Sequence, residues 1–506
     1  MSASTEKKLR IAARESGNDR KAQLAAEEAK AKAKSKFKWT LGTVAVVLLV
    51  VAAILLNSGL LYTKTTAVKI NGVNYSPAEV SYYYGTQYSN FVNTYGDYLA
   101  YFGLDTSNGI KGLAAQSFSE DQTWKDYLLE QAIAQMSQIQ AYSDYAASQG
   151  VAVTAEEKAA IDEQIEMVRT SAPQYGYKDL STFLEYNYGK GVSEAIYREQ
   201  SQKYALASAG YNAFVESLAY TDEQLADYYA SLEGSYDVYS YALYTVSAVD
   251  ADEDGTYSEE ELAAAEASAK SIVKNYNNDL ITKDTTDRLT AAVSKVVEGA
   301  SASEQNTTGS SLNEAYAEFL KSSPKAGQVE YFANTAGSGY LVVAFIGHDD
   351  NSYNVGQVRH ILVMAEADEN GIYTEEALTA AKLEAEKILN EWKSGEATEE
   401  SFAVLADERS ADSSEGGLYA EVDKTSYVPE FTAFALGEHE YGDTDIVYGE
   451  SSSYAGYHVM YYVGQGPLFS NIIAEKLMTN ADIEAWSTEV TAPYTAETTG
   501  MMRYVG

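Results

Sequence analysis

The sequence predicts an α+β protein with an N-terminal transmembrane helix, a mainly helical domain, and two tandem copies of a domain that combines strands and helices. Three observations support this prediction. One apolar run covers residues 39–61, apolar residues recur at helical spacing from Pro77 to about residue 232, and a repeat relates residues 251–262 to residues 367–378. A chain of 506 residues is too long for one domain, so we expect about three folded units.

The first predicted element is a transmembrane helix over residues 39–62. An apolar stretch of about 20 residues can cross the hydrocarbon core of a bilayer. The preceding tail, residues 1–38, holds 11 basic and 5 acidic residues, so the positive-inside rule places it in the cytoplasm and the bulk of the chain outside. The alternative is a cleaved signal peptide, but the apolar run is long for one and no small-x-small cleavage site follows it.

The charge of the remainder limits its partners. Beyond residue 38 the chain carries 25 basic and 69 acidic residues, a formal charge of −44. Such a surface repels nucleic acid and anionic lipid, so we expect no nucleic-acid partner. The chain has no cysteine, which excludes thiolate catalysis, disulfides and cysteine-based zinc sites.

Residues 63–235 are predicted to form the helical domain. Asn71-Gly72 separates two short strand-like runs and predicts a hairpin turn. Capping-box patterns then predict helix starts at Ser76–Glu79, Thr154–Glu157 and Thr221–Gln224. The chain has 43 tyrosines, which we interpret as packing residues whose hydroxyls stay hydrated; a surface that binds unfolded clients is the alternative.

The repeat divides the following residues into two domains, 236–350 and 351–467. Each copy starts with a strand-like run, continues with an Ala-rich helix and ends with a strand-like run that begins Gly-Tyr. At matched positions the first copy has Tyr244 where the second has His360, and Leu341 where the second has His458. The first copy is therefore predicted to be a degenerate domain with a structural or client-binding role.

The second copy carries the most informative pattern in the chain. His360 lies in one strand-like run and His458 in another, and Ser410-Ala411-Asp412 and Gly416-Gly417 come between them. This order resembles the parvulin family of peptidyl-prolyl isomerases. The resemblance implies that each copy is an antiparallel sheet flanked by helices, with the first copy degenerate. It also implies peptidyl-prolyl cis-trans isomerase activity, which needs neither a nucleophile nor a cofactor because only rotation about the X-Pro bond is accelerated.

The same resemblance implies the residues of the site. The catalytic groups would be His360, Asp412 and His458. The pocket for the prolyl ring would consist of Leu418, Tyr427, Phe431 and Phe434. Two histidines and a carboxylate could also bind zinc, but no fourth ligand suggests itself, and we predict no metal there.

The second copy departs from the parvulin pattern at three points. The glycine loop reads Gly-Gly-Leu-Tyr, and Tyr427 stands where Met or Leu is common, which narrows the pocket or makes it more polar. No Lys/Arg cluster follows the first strand, which argues against the phosphate-selective parvulins because a phosphate needs basic partners.

The helical domain extends the resemblance. A hairpin followed by helices, between a membrane anchor and a parvulin-like domain, resembles the SurA-like and PrsA-like bacterial extracytoplasmic foldases. The C-terminal helix and tail, residues 468–506, are predicted to complete the helical domain, with Trp486 as an anchor. We expect a membrane-anchored isomerase and chaperone whose partners are unfolded or proline-containing exported polypeptides. The alternatives are a non-catalytic holdase that binds clients with both parvulin-like domains, and a structural cell-surface protein.

An acidic loop in the first copy matches a calcium-binding pattern. The oxygen ligands of an EF-hand-like loop there would be Asp250, Asp252, Asp254, Ser258 and Glu261. A strand-like run precedes the loop where an EF-hand would have a helix, and the second copy has Ala377 in place of Glu261. We therefore interpret the loop as an acidic turn that caps the following helix, with calcium binding as the alternative.

Overall fold

The computed structural model describes residues 2–15, 20–57, 59–253 and 255–506. It divides into two compact units, Met1–Leu218 with Asp482–Gly506, and Ala219–Ala481. The C-terminal residues therefore belong to the same unit as the N-terminal helices.

The first unit begins with helices and one hairpin. The helices are α1 (Ala3–Glu15), α2 (Arg20–Asn57), α3 (Leu60–Thr63), α4 (Pro77–Tyr95), α5 (Trp124–Ser148), α6 (Ala155–Ser171), α7 (Leu180–Tyr188) and α8 (Glu194–Ser217). The hairpin strands are β1 (Val68–Ile70) and β2 (Val73–Tyr75), which pair antiparallel. Asn71 and Gly72, which connect the two strands, both have positive φ. The predicted Asn-Gly turn is therefore confirmed.

Capping boxes start three helices where the sequence predicts them. At α4 the Ser76 hydroxyl accepts from the Glu79 backbone N–H, and the Glu79 carboxylate accepts from the Ser76 backbone N–H. The same reciprocal pair begins α6 at Thr154 and α9 (Asp222–Ser231) at Thr221. Each box satisfies N–H groups that a helix start leaves without an intrahelical partner.

The predicted transmembrane segment, residues 39–62, falls on α2 and α3. Within the part of the chain that the structure describes, no helix is long and apolar enough to cross a membrane. Ser58 and the side chains of residues 52–57 lie outside the described residues.

The second unit contains two four-stranded antiparallel sheets. The first has the order β4-β3-β6-β5, with β3 (Val238–Ser247), β4 (Ser303–Thr308), β5 (Val329–Ala333) and β6 (Gly339–Asp349). The helices α10 (Glu259–Asn278) and α11 (Thr285–Ser294) pack on one face. The opposite face packs against α12 (Glu314–Lys321).

The second sheet has the order β8-β7-β10-β9. Its strands are β7 (Asn354–Met364), β8 (Leu418–Val422), β9 (Thr444–Glu450) and β10 (Ala455–Leu468). The helices α13 (Glu375–Ser394) and α14 (Glu399–Arg409) pack on one face and α15 (Pro429–Ala435) on the other. If the strands of each sheet are numbered along the chain, both sheets place them side by side in the order second, first, fourth, third. The parvulin-like character of the first copy stays a prediction.

The pairing registers correct one matched position in the repeat. In the second sheet, His360 lies two residues before the residue that pairs with His458. In the first sheet, the residue two before the partner of Leu341 is Leu243, not Tyr244. Tyr244 packs with the helices on the opposite face, because successive strand residues point to opposite sides.

The second unit includes helix α9 and the first part of the C-terminal segment, up to Ala481. The Tyr229 hydroxyl on α9 donates to Asp237 Oδ1 at 3.0 Å, beside the first sheet. The Asn351 side chain in turn donates to the Tyr229 hydroxyl at 2.8 Å. These bonds hold α9 within the second unit, and the domain bounds 63–235, 236–350 and 351–467 stay predictions.

The C-terminal segment forms α16 (Phe469–Thr491) and β11 (Ala496–Thr498). Strand β11 pairs antiparallel with β1, and Lys125 Nζ donates to the Val505 carbonyl at 2.5 Å. The Trp486 ring lies 4.5 Å from that of Phe214 and 4.6 Å from that of Tyr142, centroid to centroid. Residues 482–506 therefore pack into the helical unit.

Candidate active site

His360 and His458 meet on adjacent strands of the second sheet. They lie on β7 and β10, on the face that α15 covers, and their exposed fractions are 2% and 4%. The two-residue offset in register makes them diagonal neighbours, and their rings stack with centroids 5.1 Å apart. The two Nδ1 atoms are 2.9 Å apart, so one ring donates a hydrogen bond to the other.

Asp412 is held against His360 by the segment that follows α14. The Ser410 hydroxyl accepts from the backbone N–H of Leu362 at 3.0 Å and from that of Asp412 at 3.1 Å. The Ala411 N–H donates to the Leu362 carbonyl at 2.9 Å. These bonds attach the segment to β7 and bring Asp412 Oδ2 to 2.8 Å from His360 Nε2.

Two tyrosines that the sequence did not identify complete this set. The Tyr419 hydroxyl donates to Asp412 Oδ2 at 2.5 Å, and the Tyr454 hydroxyl lies 3.0 Å from His458 Nε2. Tyr419 pairs with Val358, which shares a face with His360 because the two residues are two positions apart on one strand. The alternation of side chains between the two faces of a strand is therefore the signal that could have identified Tyr419 as a site residue.

Burial determines the protonation of the two rings. It lowers the pKa of His360, although Asp412 acts in the opposite direction. Burial and the neighbouring His360 lower the pKa of His458 to about 3. For Asp412 partial burial would raise the pKa, but hydrogen bonds from Tyr419 and His360 outweigh it and lower the pKa. At neutral pH both rings are neutral and Asp412 is ionised.

These protonation states determine the direction of every hydrogen bond. An ionised carboxylate only accepts, so His360 Nε2–H donates to Asp412 and His360 Nδ1 is an acceptor. His458 therefore donates from Nδ1, and its Nε2 accepts from the Tyr454 hydroxyl. We call the series from Tyr454 through His458 and His360 to Asp412 the hydrogen-bond chain.

Aromatic rings border the hydrogen-bond chain on the α15 side. The Phe431 ring lies 5.1 Å from His360 and 5.3 Å from His458, and Tyr427 stacks on it at 5.3 Å. The Tyr419 ring lies 5.4 Å from Tyr427, edge to face. Phe431, Tyr427 and Tyr419 form what we call the aromatic pocket.

Of the other two predicted pocket residues, Leu418 points away from the aromatic pocket and Phe434 packs in the same apolar cluster as its rings. Leu418 is 40% exposed and pairs with Arg359, so it points away from the face that carries Tyr419. The implied assignment of Leu418 is thus one residue out of register. Phe434 is buried in the same apolar cluster as Phe431, but its ring stacks on His439 at 4.3 Å.

The family match covers the part of the chain that holds this geometry. Residues 360–463 match the family described as Rotamase: PPIC-type PPIASE domain. Residues 360–463 form a parvulin-type peptidyl-prolyl isomerase domain. This isomerase domain contains both histidines, Asp412 and the aromatic pocket, and it makes the chain a peptidyl-prolyl cis-trans isomerase.

Two solved structures are similar to the chain in part. The peptidylprolyl isomerase PrsA from Bacillus cereus is 17% identical, with 60% of this chain and 86% of that chain covered and a TM-score of 0.19. PrsA from Bacillus subtilis is 16% identical, with 47% and 79% covered and a TM-score of 0.16. No curated protein matches the chain. The isomerase assignment therefore rests on residues 360–463.

The acidic loop outside the isomerase domain behaves as a helix cap. Oxygens of Asp250, Asp252 and Glu261 lie within 4.8 Å of one another, while Asp254 lies outside the described residues. The Glu261 carboxylate accepts from the Ala251 N–H at 2.6 Å and from the Ser258 N–H at 2.8 Å, and Ser258 caps α10. Backbone donors thus already use Glu261, which favours the interpretation as an acidic turn.

Proposed function

We propose that the chain is an extracytoplasmic foldase in which the hydrogen-bond chain and the aromatic pocket isomerise X-Pro bonds of exported polypeptides. One observation carries this proposal: a buried hydrogen-bond chain lies beside a pocket walled by Phe431, Tyr427 and Tyr419. An apolar cleft with few, fixed polar groups is what this reaction needs.

The chemistry follows from the X-Pro bond itself. Its partial double-bond character creates a barrier of about 18–20 kcal/mol, and a catalyst must bind the twisted bond better than the planar one. The twisted bond has lost the charge separation of the planar amide, so it is favoured where aromatic walls exclude water. Phe431 and Tyr427 would hold the prolyl ring while the acyl side rotates.

The histidines have a structural task in this mechanism. Because His458 has a pKa of about 3, it is a neutral imidazole at neutral pH and not an acidic imidazolium, and no proton needs to move during the rotation. Both rings are held in one tautomer by partners at each end of the hydrogen-bond chain. The two rings form the buried base of the site and hold Asp412 and the aromatic side chains in fixed positions.

The experiment that tests this function is proline-limited refolding of a client protein with the parent chain and with Asp412→Ala. The parent is expected to accelerate the slow phase. Asp412→Ala leaves the buried His360 Nε2–H without its acceptor, so the ring turns and kcat/KM falls by about 10- to 100-fold.

Asp445→Ala is the matched control because Asp445 is an exposed carboxylate on β9 of the same domain. It removes the same charge and is expected to leave the rate unchanged. Failure of the parent to accelerate refolding at stoichiometric concentration, with Asp412→Ala indistinguishable from it, would reject the proposed isomerase function.

We further propose that the helical unit binds unfolded clients, because an aromatic patch is exposed on it. The patch lies at the end of α4 and in the residues that follow: Tyr95, Tyr98, Tyr101 and Phe102. Tyr101 is 89% and Tyr98 71% exposed, and the rings of Tyr95 and Phe102 lie 5.0 Å apart. Clustered exposed rings mark an interaction surface, whereas single ones do not.

The client-binding proposal predicts that Tyr98→Ser with Tyr101→Ser weakens the suppression of client aggregation. The concentration needed for half suppression should rise by about fivefold or more, because exposed aromatic anchors contribute about 1 kcal/mol each. Tyr175→Ser is the control, since Tyr175 is a 75% exposed tyrosine of the same unit outside the patch. Equal suppression by both variants would rule out the patch as the binding surface.

We also propose that residues 39–62 anchor the chain in a membrane, with residues 1–38 on the cytoplasmic side. The apolar composition of this segment and the exposed Trp39 and Leu49 on α2 support the proposal. Alkaline carbonate extraction should leave the full chain in the membrane pellet and release a chain without residues 39–62. Recovery of the full chain in the soluble fraction would contradict it.

A further inference from the structure

One oxygen of Asp412 receives two hydrogen-bond donors. His360 Nε2 lies 2.8 Å and the Tyr419 hydroxyl 2.5 Å from Asp412 Oδ2. Two donors that converge on one carboxyl oxygen are typical of an ionised carboxylate, which has no proton of its own to place. The second donor, Tyr419, is the group whose role the family match leaves unexplained.

Tyr419 is at the same time a wall of the aromatic pocket. Its ring lies 4.9 Å from His360, 5.7 Å from Phe431 and 5.4 Å from Tyr427. Pairing of β8 with β7 holds Tyr419 opposite Val358 and so fixes the ring on this face. Ring and hydroxyl have separable tasks, because a phenylalanine would keep the wall and remove only the donor.

We propose that Tyr419 is a positioning residue whose hydroxyl keeps the Asp412 carboxylate ionised and aimed at His360, and thereby sets the direction of the hydrogen-bond chain. The proposal rests on the proposed function of the site and adds a residue to it. Tyr419 acts through Asp412 and His360 and takes part in no bond-making step.

The balance of influences on Asp412 supports this role. Partial burial is the largest influence and would raise the pKa of Asp412, and the hydrogen bond from Tyr419 comes next and lowers it. The hydrogen bond and charge of His360 follow in the same direction. Without the Tyr419 hydroxyl, burial is opposed mainly by His360, so the pKa of Asp412 should rise.

Protonation of Asp412 would reverse the whole hydrogen-bond chain. A neutral Asp412 can donate to His360 Nε2, which forces His360 to donate from Nδ1 and His458 to donate from Nε2 to the Tyr454 hydroxyl. Both rings would then hold the opposite tautomer. Isomerase activity should therefore fall on the acid side with the pKa of Asp412.

Several titratable groups face Asp412 and belong in this account. His360 on β7 and His458 on β10 form the hydrogen-bond chain, and Tyr419 on β8 completes it. Tyr427, before α15, feels the charge of Asp412, and so does Tyr454, before β10, which also feels Glu430 on α15. Tyr419 is the tyrosine among them that donates directly to Asp412.

The test compares Tyr419→Phe with Tyr448→Phe in the full chain. Tyr448→Phe is the matched control because the Tyr448 hydroxyl also donates to a carboxylate, Glu450 Oε2 at 2.8 Å, on β9 outside the aromatic pocket. Tyr419→Phe should raise the carboxyl midpoint of Asp412, measured by carbon-13 NMR, by about one pH unit. The acid limb of kcat/KM should move by the same amount, and Tyr448→Phe should leave both midpoints in place.

The outcomes are distinguishable. An Asp412 midpoint that stays within about 0.2 unit in Tyr419→Phe overturns the proposal, whatever the activity. A parent chain without isomerase activity rejects the proposed function alone, because the carboxyl titration still tests Tyr419. If Tyr419→Phe does not fold, the parent chain provides the test. The Tyr419 Cζ resonance should then change with pH at the same midpoint as the Asp412 carboxyl resonance. A Tyr419 resonance that does not follow the titration of Asp412 overturns the proposal.

Discussion

Replacing Phe431 by alanine is expected to remove isomerase activity and to destabilise the isomerase domain by about 3–5 kcal/mol. The Phe431 ring is 2% exposed and contacts both histidines and both pocket tyrosines. Alanine would leave a cavity against the hydrogen-bond chain and open the pocket to water. Thermal unfolding and proline-limited refolding measure the two effects.

Phe431→Leu separates catalysis from stability, because it preserves most of the volume and should cost only about 1–2 kcal/mol. It should still lose most of the activity, since the flat aromatic wall is gone. Phe402→Leu is the control: Phe402 is fully buried on the opposite face of the same sheet, against Trp392 and Tyr461. Equal activity loss in Phe402→Leu and Phe431→Leu would show that stability alone controls the rate.

Replacing Gly417 by alanine is expected to destabilise the isomerase domain by about 3 kcal/mol or more. Gly417 has a φ of +65°, and a Cβ there would lie 2.2 Å from the His360 carbonyl oxygen and 2.9 Å from Ala406 Cβ. The backbone of β7 would have to move, and the His360 side chain with it. Urea unfolding measures the loss of stability, and kcat/KM should fall as well.

Gly371→Ala isolates the backbone part of this effect. Gly371 has a φ of +79° in the same domain, but a Cβ there would meet no atom within 4 Å. Its cost should be about 1 kcal/mol, the strain of a left-handed alanine alone. If Gly417→Ala cost no more than Gly371→Ala, the close approach of Gly417 to His360 would not matter for stability.

Local features of the fold could be predicted from the sequence because their causes lie within a few residues. The Asn71-Gly72 turn depends on two adjacent residues that adopt positive φ. The capping boxes at Ser76, Thr154 and Thr221 depend on side chains that bond to backbone three residues away. The meeting of His360 with Asp412 followed from the resemblance to parvulins, and the structure adds how Ser410 attaches that segment to β7.

Strand faces could not be predicted with the same success. The resemblance places Leu418 in the pocket where Tyr419 lies, and the repeat matches Tyr244 to His360 where the register gives Leu243. Both errors are shifts of one residue, and a shift of one residue moves a strand side chain to the other face of a sheet. The sequence shows that side chains alternate along a strand, but it does not show the strand pairing that decides which of them point to which face of the sheet.

The sequence by itself determined the repeat and the turn and cap positions, because each depends on residue type at a short or repeated spacing. The two histidines and Asp412 were implied by the resemblance to parvulins. Only the tertiary structure decided that Tyr454 begins the hydrogen-bond chain, that Tyr419 donates to Asp412 at its other end, and that β11 pairs with β1. These contacts join segments distant in the chain or depend on register. They form because buried polar groups and strand edges need hydrogen-bond partners, and the local sequence does not determine which residues those partners are.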